Sequence, residues 1–588
     1  MKHEPIRFEQ QRTYPIALAE AWRILADTDH LNRAIGLPKP NFAPAADESL
    51  LREVRTRRLL IVPVRWQEFP FDWVRDRRYL VRREFDSGPI ACVEGGIELA
   101  PAGDGVVVKA FADFTPANLM GRLAWRVGRA PVSGVLEFCD RYLQRRDEGN
   151  PDPVPVPARR TPVDAESLEG GLATLRRDNV RPRLVEALRQ RVLEGSDDQL
   201  VRVRPFALAD VWGADRHEVL RLFLHAARAG LFDLRWELMC PNCRIPKAEA
   251  GHLSQLPQIF HCDTCGISYA VDFDERVELR FSVHPDIRVA VDEIYCIGSP
   301  VRTPHIVAQQ YLRPHEERSV EVELVEPLRL RTVGATTHLD LGPAPPDARV
   351  DEVTITYASG RWVGPHSLMQ DECLAVPAGA RLMLHNQTDG PVLAVLEEAA
   401  WTDQATTAAE VTALQDFRDL FDAETLAPDE QFAVGSLAVL VGSGEISSER
   451  AKRLAAAHNG TVVKSDGRAL LCAFRRLDDA FAAALAIQGE ASLGLGLHEG
   501  PVLAATVDDR LDYLGDTVDI AASLRSESRS GDIVLLPETL AQLTPEGVEL
   551  ETFAASARGL EPGRELVRVT PARSAQGTDG REAFPNWF

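Results

Sequence analysis

The sequence has 588 residues, 45% of them hydrophobic and 26% charged, which is typical of folded globular protein and corresponds to about four domains. Its 88 acidic residues outnumber its 66 Lys and Arg residues, and the net charge of −22 repels DNA and anionic membranes at long range, although a local patch can differ. No apolar segment follows Met1 and no apolar run reaches the roughly 18 residues of a membrane span, so we expect a protein that is neither secreted nor membrane-spanning. Five of its nine cysteines are scattered along the chain, which suits a reducing compartment and makes the cytoplasm the expected location.

The hydrophobic pattern of residues 1–147 predicts a strand, a helix, several antiparallel strands and a long closing helix. The first strand covers residues 6–16, residues 17–36 have apolar side chains at helical spacing, and the closing helix runs from about residue 118 to 146. This order and the stretch QEFPFDWVRDRRYLVRREFDSGP resemble the START-like (SRPBCC, polyketide cyclase/dehydrase) family, which implies a helix-grip fold around a cavity for an apolar small ligand. The aromatic residues that would line this cavity, or form a plain core instead, are Trp66, Phe69, Phe71, Trp73, Phe111 and Phe114.

The next two segments predict a linker and a helical region. Residues 148–168 contain five prolines, which predicts an extended linker that leaves its neighbours semi-independent. Residues 169–239 have helical spacing and resemble a winged-helix unit, whose basic face would read DNA. The candidate arginines are Arg183, Arg189, Arg191, Arg202 and Arg204. Because the surroundings are acidic, we favour a helical platform that packs against the following segment, and nucleic acid is not the expected partner.

Four cysteines within residues 240–267 have the spacing of a zinc ribbon. Two residues separate Cys240 from Cys243, eighteen residues follow, and Cys262 and Cys265 repeat the spacing. Four thiolates form a closed tetrahedral zinc site without an open position for catalysis. Two redox CxxC motifs are the alternative, but their usual strand–helix–strand context is missing. We therefore predict a structural zinc ion that helps this segment to fold.

Residues 268–400 alternate in short apolar and polar runs between Gly and Pro turns, which predicts a β-sandwich. The connecting segment at residues 401–430 contains a predicted helix at residues 405–421. From about residue 170 to 430, the phrases CPNCR, FHCDTC, SVHPDIR, YCIGSPVRTPHIVAQQYLRP and LHNQTDGPVLAVLEEAAWTD resemble an uncharacterised domain that precedes cyclase domains in many bacterial proteins.

Residues 431–570 carry the motifs of a nucleotide-binding module and are followed by a tail, residues 571–588. The runs GTVVKSDGRALLCAF and DYLGDTVDIAASL resemble the V-V-K-x-x-G-D and D-Y-x-G-x-x-V-N-x-A-A-R-L motifs of the class III adenylate/guanylate cyclase homology domain. The resemblance implies a ferredoxin-like α/β fold. It also implies composite sites between two subunits, so the module could form a homodimer or join an active cyclase partner.

The same resemblance implies that the catalytic positions are changed. Active members hold two metal ions with two aspartates, and here Val439 and Arg468 take those positions. Valine has no oxygen ligand for a divalent cation, and arginine repels one. The Asn and Arg that act on the phosphates are replaced by Asp519 and Ser523. We therefore assign no catalytic residue.

The pair that reads the base is retained. Lys464 matches the lysine of V-V-K, and Asp512 matches the aspartate of D-Y-x-G, which together contact the purine in adenine-specific members. The resemblance thus implies ATP as a possible ligand, bound without chemistry. The alternative is that both residues are ordinary surface charges on a strand and a loop.

Together these features predict a multidomain α+β protein. We expect a signalling or scaffold protein in which a catalytically degenerate cyclase domain binds an adenine nucleotide or dimerises, coupled to a START-like domain for a small ligand. Two alternatives stay open. One is an active adenylate/guanylate cyclase that works through unconventional residues, and the other is a DNA-binding regulator.

Overall fold

The structure is a computed structural model in which most of the chain is described. The described residues are 4–44, 52–59, 62–121, 129–150, 152–155, 161–239, 246–262, 267–274, 276–291, 295–296, 298–322, 324, 326–332, 337–345, 348, 350–370, 373–398, 405–555, 560–561 and 563–571. The fold is mixed α/β with several sheets. The chain divides into two compact units. The first combines Met1–Glu249, His261–Tyr269 and Leu279–Thr406, and the second combines Ala250–Phe260, Ala270–Glu278 and Thr407–Phe588.

The helices of the described residues are α1 (Leu18–Leu25), α2 (Thr28–Ala34), α3 (Arg129–Asp147), α4 (Ala165–Arg177), α5 (Pro182–Glu194), α6 (Pro205–Trp212), α7 (Arg216–Arg228), α8 (Ala408–Thr412), α9 (Gln415–Leu420), α10 (Ser448–Ala457), α11 (Leu477–Glu490), α12 (Asp516–Glu527) and α13 (Pro537–Leu540). Local signals set several of their ends. The Asp215 carboxylate accepts a hydrogen bond from Glu218 N at the start of α7, and Gly213 ends α6 with a φ of 57°. Within the described ranges, no helix is long and apolar enough to cross a membrane.

The strands are β1 (Ile6–Tyr14), β2 (Pro40–Pro44), β3 (Arg52–Leu59), β4 (Val62–Glu68), β5 (Asp72–Val74), β6 (Arg78–Phe85), β7 (Ile90–Ala102), β8 (Gly105–Pro116), β9 (Phe232–Met239), β10 (Pro246–Ala250), β11 (Ile259–Cys262), β12 (Ile267–Ala270), β13 (Val277–Val283), β14 (Ile306–Leu312), β15 (Glu317–Val320), β16 (Leu328–Thr332), β17 (His338–Pro343), β18 (Glu352–Ala358), β19 (Arg361–Val363), β20 (Met369–Gln370), β21 (Cys373–Val376), β22 (Arg381–Asn386), β23 (Val392–Glu398), β24 (Gln431–Ser443), β25 (Gly460–Ser465), β26 (Ala469–Phe474), β27 (Gly494–Val507), β28 (Arg510–Leu514), β29 (Ile533–Leu535), β30 (Val548–Ala554) and β31 (Glu565–Pro571).

In the first unit, the first and last strands that precede α3 in the sequence, β1 and β8, are neighbours in one sheet. β1 pairs with β8 in antiparallel register, with Ile6 opposite Phe114, and β7, β6 and β5 follow in order. Apolar side chains of α1 and α3, such as Trp22 and Phe138, are buried in the same core cluster as the sheet. This is the order of strands and helices that the sequence predicts, while the START-like assignment itself stays a prediction.

This sheet continues beyond the predicted boundary at residue 147. β5 pairs with β14, with Val74 opposite Ala308, and the sheet then runs through β23, β16, β17, β21 and β20. Phe71 and Tyr311, one from each side of this junction, belong to one buried cluster. Residues 1–147 are therefore part of a larger sheet rather than a self-contained one, because β14 covers the edge that β5 would otherwise expose.

Residues 306–398 form two β-layers over a shared core. One layer is the four-stranded sheet β15-β22-β18-β19, and the other is the part of the large sheet formed by β14, β23, β16, β17 and β21. The two layers bury one cluster that includes Leu341, Ile355 and Leu382. β13, whose alternating pattern predicts a strand of this sandwich, pairs instead with β9 in the three-stranded sheet β10-β9-β13. Alternation predicts a half-buried strand, but it carries no information on the partner strand.

The proline-rich segment that predicts a free linker is held within the first unit. Asp152 forms an ion pair with Arg191, and His30 Nε2 donates a hydrogen bond to Pro155 O at 2.7 Å. α4 begins at Ala165, inside the predicted linker, with the Asp164 carboxylate as its N-cap. For the described residues of this segment, the expectation of semi-independent neighbours is wrong, because long-range contacts fix the chain.

The second unit is built on the sheet β25-β26-β24-β27-β29-β31-β30, with β28 paired to β27. α10 and α11 contribute to a buried cluster on one face that includes Leu440 and Leu497. Residues alternate between faces along a strand, so Gly496 lies on the opposite face. There α12 packs so closely that a Cβ on Gly496 would lie 2.3 Å from Ala521 O. Helices therefore pack on both faces of this sheet.

The connecting segment contains two short helices, α8 and α9, instead of the single helix predicted at residues 405–421. Leu414, between them, has an extended backbone with φ −94° and ψ 135°. Thr407 caps α8 by accepting a hydrogen bond from Glu410 N. The continuous helix is thus wrong, because the chain turns at Leu414.

Candidate functional site

The strands of the second unit bring the nucleotide motifs together. β26 lies between β24 and β25, and β27 lies on the other side of β24. Val439 on β24 is opposite Ala473 on β26 and His498 on β27. β25 and β26 form a hairpin whose turn contains Gly467 with a φ of 85°, a conformation that glycine adopts without strain. The hairpin positions Arg468 directly after this turn.

Lys464 on β25 and Asp512 on β28 form an ion pair between the lysine Nζ and the aspartate Oδ2. The Lys464 side chain is 57% exposed, whereas that of Asp512 is 2% exposed. Asp512 Oδ1 also accepts a hydrogen bond from Tyr513 N at 2.8 Å. A buried carboxylate is stable only with such partners. The pair therefore combines a fixed, buried acceptor with an accessible ammonium group, which two unrelated surface charges would not do.

Neither of the two positions implied for metal ligands carries an acidic side chain. Val439 is 1% exposed, and Arg468 follows a turn in which the Asp466 carboxylate accepts hydrogen bonds from Ala469 N and Arg468 N. These hydrogen bonds lower the pKa of Asp466 and hold its carboxylate in the turn. In the described part of the chain, no group of three or more His, Cys, Asp or Glu residues could hold a metal ion.

The resemblance aligns Asp519 and Ser523 with the two residues that act on the phosphates in active cyclases. They lie one turn apart on α12, and Ser523 Oγ donates a hydrogen bond to Asp519 O at 2.9 Å. The hydroxyl is thus engaged by its own helix, and the exposed Asp519 adds a negative charge. This arrangement supplies no positive charge for phosphate groups.

The connecting segment contacts both strands that carry the ion pair, a feature that sequence patterns did not reveal. Gln415 Oε1 accepts a hydrogen bond from Val462 N on β25 at 2.8 Å. Arg418 Nη1 donates to Leu511 O on β28 at 2.6 Å, and its guanidinium lies 5.3 Å from the Tyr513 ring centroid. Polar residues on a short amphipathic helix ordinarily indicate a solvated face, so no local signal marks the buried Gln415 and the half-buried Arg418 as contacts of these strands.

The predicted zinc ligands lie almost entirely outside the described residues. This applies to Cys240, Cys243 and Cys265, whereas Cys262 is described only as the last residue of β11. β11 and β12 pair with each other in a two-stranded sheet. Zinc binding stays a prediction.

Three of the five arginines proposed as a DNA-binding face, Arg189, Arg191 and Arg202, are engaged by carboxylates. Arg189 lies 2.6 Å from Glu169, and Arg202 lies 3.2 Å from Glu237, whose side chain is 1% exposed. Arg191 forms an ion pair with Asp152 of the proline-rich segment. Cations that are neutralised in this way contribute little to phosphate binding, which favours the helical platform.

Most of the aromatic residues proposed to line an apolar cavity are buried in the first unit. The buried ones are Phe71, Trp73, Phe111 and Phe114, and the half-buried ones are Trp66 and Phe69. Phe71 also fills the space beside Gly298, where a Cβ would lie 2.5 Å from its ring. Such packing is the plain-core alternative, and the apolar ligand stays a prediction.

Residues 166–293 match the model of a family described as a family of unknown function (DUF5939). The match overlaps the N-terminal part of the segment, residues 170–430, that resembles an uncharacterised domain next to cyclase domains. No curated protein matches the chain significantly.

One region of the chain is similar in structure to nucleotide cyclase domains. The guanylate cyclase domain of RhGC from Catenaria anguillulae in complex with GTP is 18% identical, and the match covers 24% of this chain and 99% of that chain with a TM-score of 0.21. The adenylyl cyclase CyaB from P. aeruginosa is 16% identical, with 25% and 100% covered and a TM-score of 0.21. An adenylate/guanylate cyclase/hydrolase from Silicibacter pomeroyi is 18% identical, with 24% and 99% covered and a TM-score of 0.21.

Proposed function

We propose that this chain is a cytoplasmic signalling or scaffold protein whose C-terminal module binds an adenine nucleotide without cyclising it. The observation that carries the proposal is the ion pair between Lys464 and Asp512. The same module has Val439 and Arg468 where metal-binding aspartates would be needed. The same module would form the contact between chains in a homodimer or in a complex with an active cyclase.

The ion pair has the chemistry of a base-reading site. The lysine ammonium donates hydrogen bonds, the carboxylate accepts them, and a purine edge presents both an acceptor and a donor. Tyr513 N holds the Asp512 carboxylate in place, so little reorganisation is needed on binding. The resemblance to adenine-specific cyclases favours adenine over guanine.

Titration calorimetry of the full-length protein with ATP tests this proposal. We expect ATP to bind, and Lys464→Ala or Asp512→Asn to weaken binding about tenfold or more, since a hydrogen bond to a charged group contributes about 1.5–3 kcal/mol. Lys452→Ala is a matched control, because Lys452 pairs with Asp419 in the same unit, 2.7 Å away. The absence of ATP binding, or equal affinities for all variants, would contradict the proposal.

We also propose that nucleotide binding is coupled to the connecting segment. Gln415 and Arg418 bind the backbone of β25 and β28, so a ligand that orders these strands also orders the segment. We expect saturating ATP to slow amide hydrogen exchange in residues 408–420, and Gln415→Ala to reduce this effect. Unchanged exchange in this segment, despite measurable ATP binding, would exclude the coupling.

The two alternative functions fit fewer of these observations. An active cyclase would have to work with a valine and an arginine at the metal positions. A DNA-binding regulator would need free cations on the helical region, whereas Arg189 and Arg202 pair with carboxylates. Salt-dependent binding of the full-length protein to duplex DNA would favour the regulator.

We further propose that Cys240, Cys243, Cys262 and Cys265 hold one structural zinc ion. Such a site typically stabilises its fold by about 10 kcal/mol or more. We expect the purified protein to contain about one zinc per chain by elemental analysis, and Cys243→Ser to abolish it. Cys373→Ser, outside the cluster, is the control. Zinc-free protein, or a Cys243→Ser variant with full zinc content, would contradict the site.

A further inference from the structure

The two residues of the proposed base-reading pair lie on strands that are not neighbours in their sheet. β25 carries Lys464 and pairs with β26, whereas β28 carries Asp512 and pairs with β27. In the order β25-β26-β24-β27-β28, three strands stand between them. Neighbouring strands are about 4.8 Å apart, so a flat sheet would separate β25 from β28 by about 19 Å. Backbone pairing alone therefore does not bring the ammonium group to the carboxylate.

Helix α9 connects these two strands directly. Gln415 Oε1 accepts hydrogen bonds from Val462 N at 2.8 Å and from Thr461 Oγ1 at 3.1 Å, both on β25. Three residues further along the chain, Arg418 Nη1 donates a hydrogen bond to Leu511 O on β28 at 2.6 Å. Gln415 is 5% exposed, so solvent does not replace its hydrogen bonds. The helix is thus a bridge from β25 to β28.

The bridge is attached next to the base-reading pair at both ends. It contacts β25 two residues before Lys464 and β28 directly before Asp512. The next residue of β28, Tyr513, donates a hydrogen bond from its hydroxyl to Thr412 Oγ1 at 2.9 Å, and both side chains are buried. Because so little chain separates these contacts from the pair, the placement of α9 sets the position of the ammonium group relative to the carboxylate.

The relative position of an ammonium group and a carboxylate determines which purine fits between them. Adenine and guanine each offer a hydrogen-bond acceptor beside a donor. In adenine the exocyclic amino group is the donor and a ring nitrogen is the acceptor, whereas in guanine the exocyclic oxygen is the acceptor and a ring N–H is the donor. The two bases therefore need the lysine and the carboxylate in exchanged positions. A pair that is free to shift would accept either base.

We propose that Gln415 and Arg418 are positioning residues that make this site selective for adenine over guanine. The inference rests on the proposed function, because it assigns a base selectivity to the nucleotide site of that proposal. Both residues act through the backbone of β25 and β28. The helix α9 is a spacer that holds Lys464 and Asp512 in the geometry that adenine requires.

Titration calorimetry of the full-length protein with ATP and with GTP tests the assignment. We expect the wild type to bind ATP more tightly than GTP. Gln415→Ala detaches the bridge from β25, and Arg418→Met detaches it from β28. Each should lower the ratio of ATP affinity to GTP affinity about fivefold, which is the effect of one hydrogen bond. Since either change releases the same bridge, the double variant should lower the ratio little more than the stronger single variant.

Arg450→Ala is the matched control, because the ion pair of Arg450 with Glu490, at 2.6 Å, joins α10 to α11 instead. It should leave the ratio unchanged. Differential scanning fluorimetry reports whether each variant is folded. Arg418 is half-buried, so Arg418→Met keeps the assignment testable where Gln415→Ala does not fold.

The possible failures separate the assignment from the proposed function. A wild type without ATP binding would contradict both. A wild type that binds ATP and GTP equally, or single variants that keep the wild-type ratio, would contradict the assignment and leave nucleotide binding intact. Variants that lose affinity for ATP and GTP by the same factor, with a lower unfolding temperature, would mean that the bridge only stabilises the fold.

Discussion

Full-length protein supplied with ATP or GTP and Mn²⁺ is expected to form no cyclic nucleotide above the level of a heat-denatured sample. Two metal ions would normally activate the attacking hydroxyl and neutralise the phosphates. The resemblance to the class III cyclase motifs aligns Val439 and Arg468 with the two metal positions, and Asp519 and Ser523 with the two phosphate positions. Removal of a single transition-state contact typically lowers a rate about 10²–10³-fold, so four changes together should bring the activity below detection.

A variant that restores the carboxylates separates metal binding from catalysis. Val439→Asp alone should lower the thermal stability, because Val439 is 1% exposed and a carboxylate there is buried without a partner. In the double variant Val439→Asp, Arg468→Asp, we expect Mn²⁺ to raise the unfolding temperature, as a ligand of the folded state does.

Differential scanning fluorimetry with and without Mn²⁺ measures this effect. Val441→Asp, Arg468→Asp is the control, since Val441 lies on the same strand away from the aligned position. Cyclic nucleotide made by the wild type would contradict the expected inactivity. Equal stabilisation of the wild type and the double variant by Mn²⁺ would show that the restored carboxylates do not form the metal site.

Local motifs single out Lys464 and Asp512 as a base-reading pair, but they did not predict the ion pair between the two side chains. Lys464 and Asp512 lie far apart in sequence, and only the resemblance of their two motifs to one family relates them. The burial of Asp512 was not predictable, since a charged residue in a strand motif gives no sign of its depth. The contacts of Gln415 and Arg418 were also missed, because their sequence environment is that of an ordinary helix.

The strands were easier to predict than their partners. The pattern of Val277–Val283 indicates a strand, but its pairing with β9 depends on distant residues. The junction of β5 and β14 is of the same kind, since nothing in three residues, Asp72–Val74, indicates that they continue a sheet into residues 306–312. The prediction of a free linker at the proline-rich segment failed for a related reason. Prolines predict an extended chain, but the residues that bind this segment, His30 and Arg191, lie elsewhere in the sequence.

Replacement of His30 by alanine is expected to lower the free energy of unfolding by about 3–5 kcal/mol. His30 is 3% exposed, and both of its ring nitrogens have partners. Nδ1 lies 2.6 Å from Asp198 Oδ2, and Nε2 lies 2.7 Å from Pro155 O. Both partners are acceptors, so both nitrogens must donate and the ring is a buried imidazolium. The alanine variant leaves the Asp198 carboxylate buried without its nearest cation, although Arg33 lies 3.2 Å away.

This contribution depends on pH in a defined direction. Burial opposes the charged ring, but the Asp198 carboxylate outweighs it and raises the pKa of His30 to about 9. Asp27, whose own pKa is raised by burial, is a second carboxylate that favours the charged ring. The unfolded chain has a histidine pKa of about 6.5, so the contribution is fully present below this pH. The contribution of His30 to the free energy of unfolding decreases by about 3 kcal/mol as the pH rises from about 6.5 through about 9, the pKa of His30 in the folded protein.

Urea denaturation of the full-length wild type and His30→Ala, once at a pH below about 6.5 and once at a pH above about 9, measures the effect. We expect the difference in unfolding free energy between them to shrink from low to high pH. His315→Ala is the matched control, because the 63% exposed His315 lies 3.1 Å from the exposed Asp389 and should contribute less than about 1 kcal/mol. A difference that does not change with pH would mean that the ring is neutral, and then one of its two nitrogens cannot be the donor that the geometry requires.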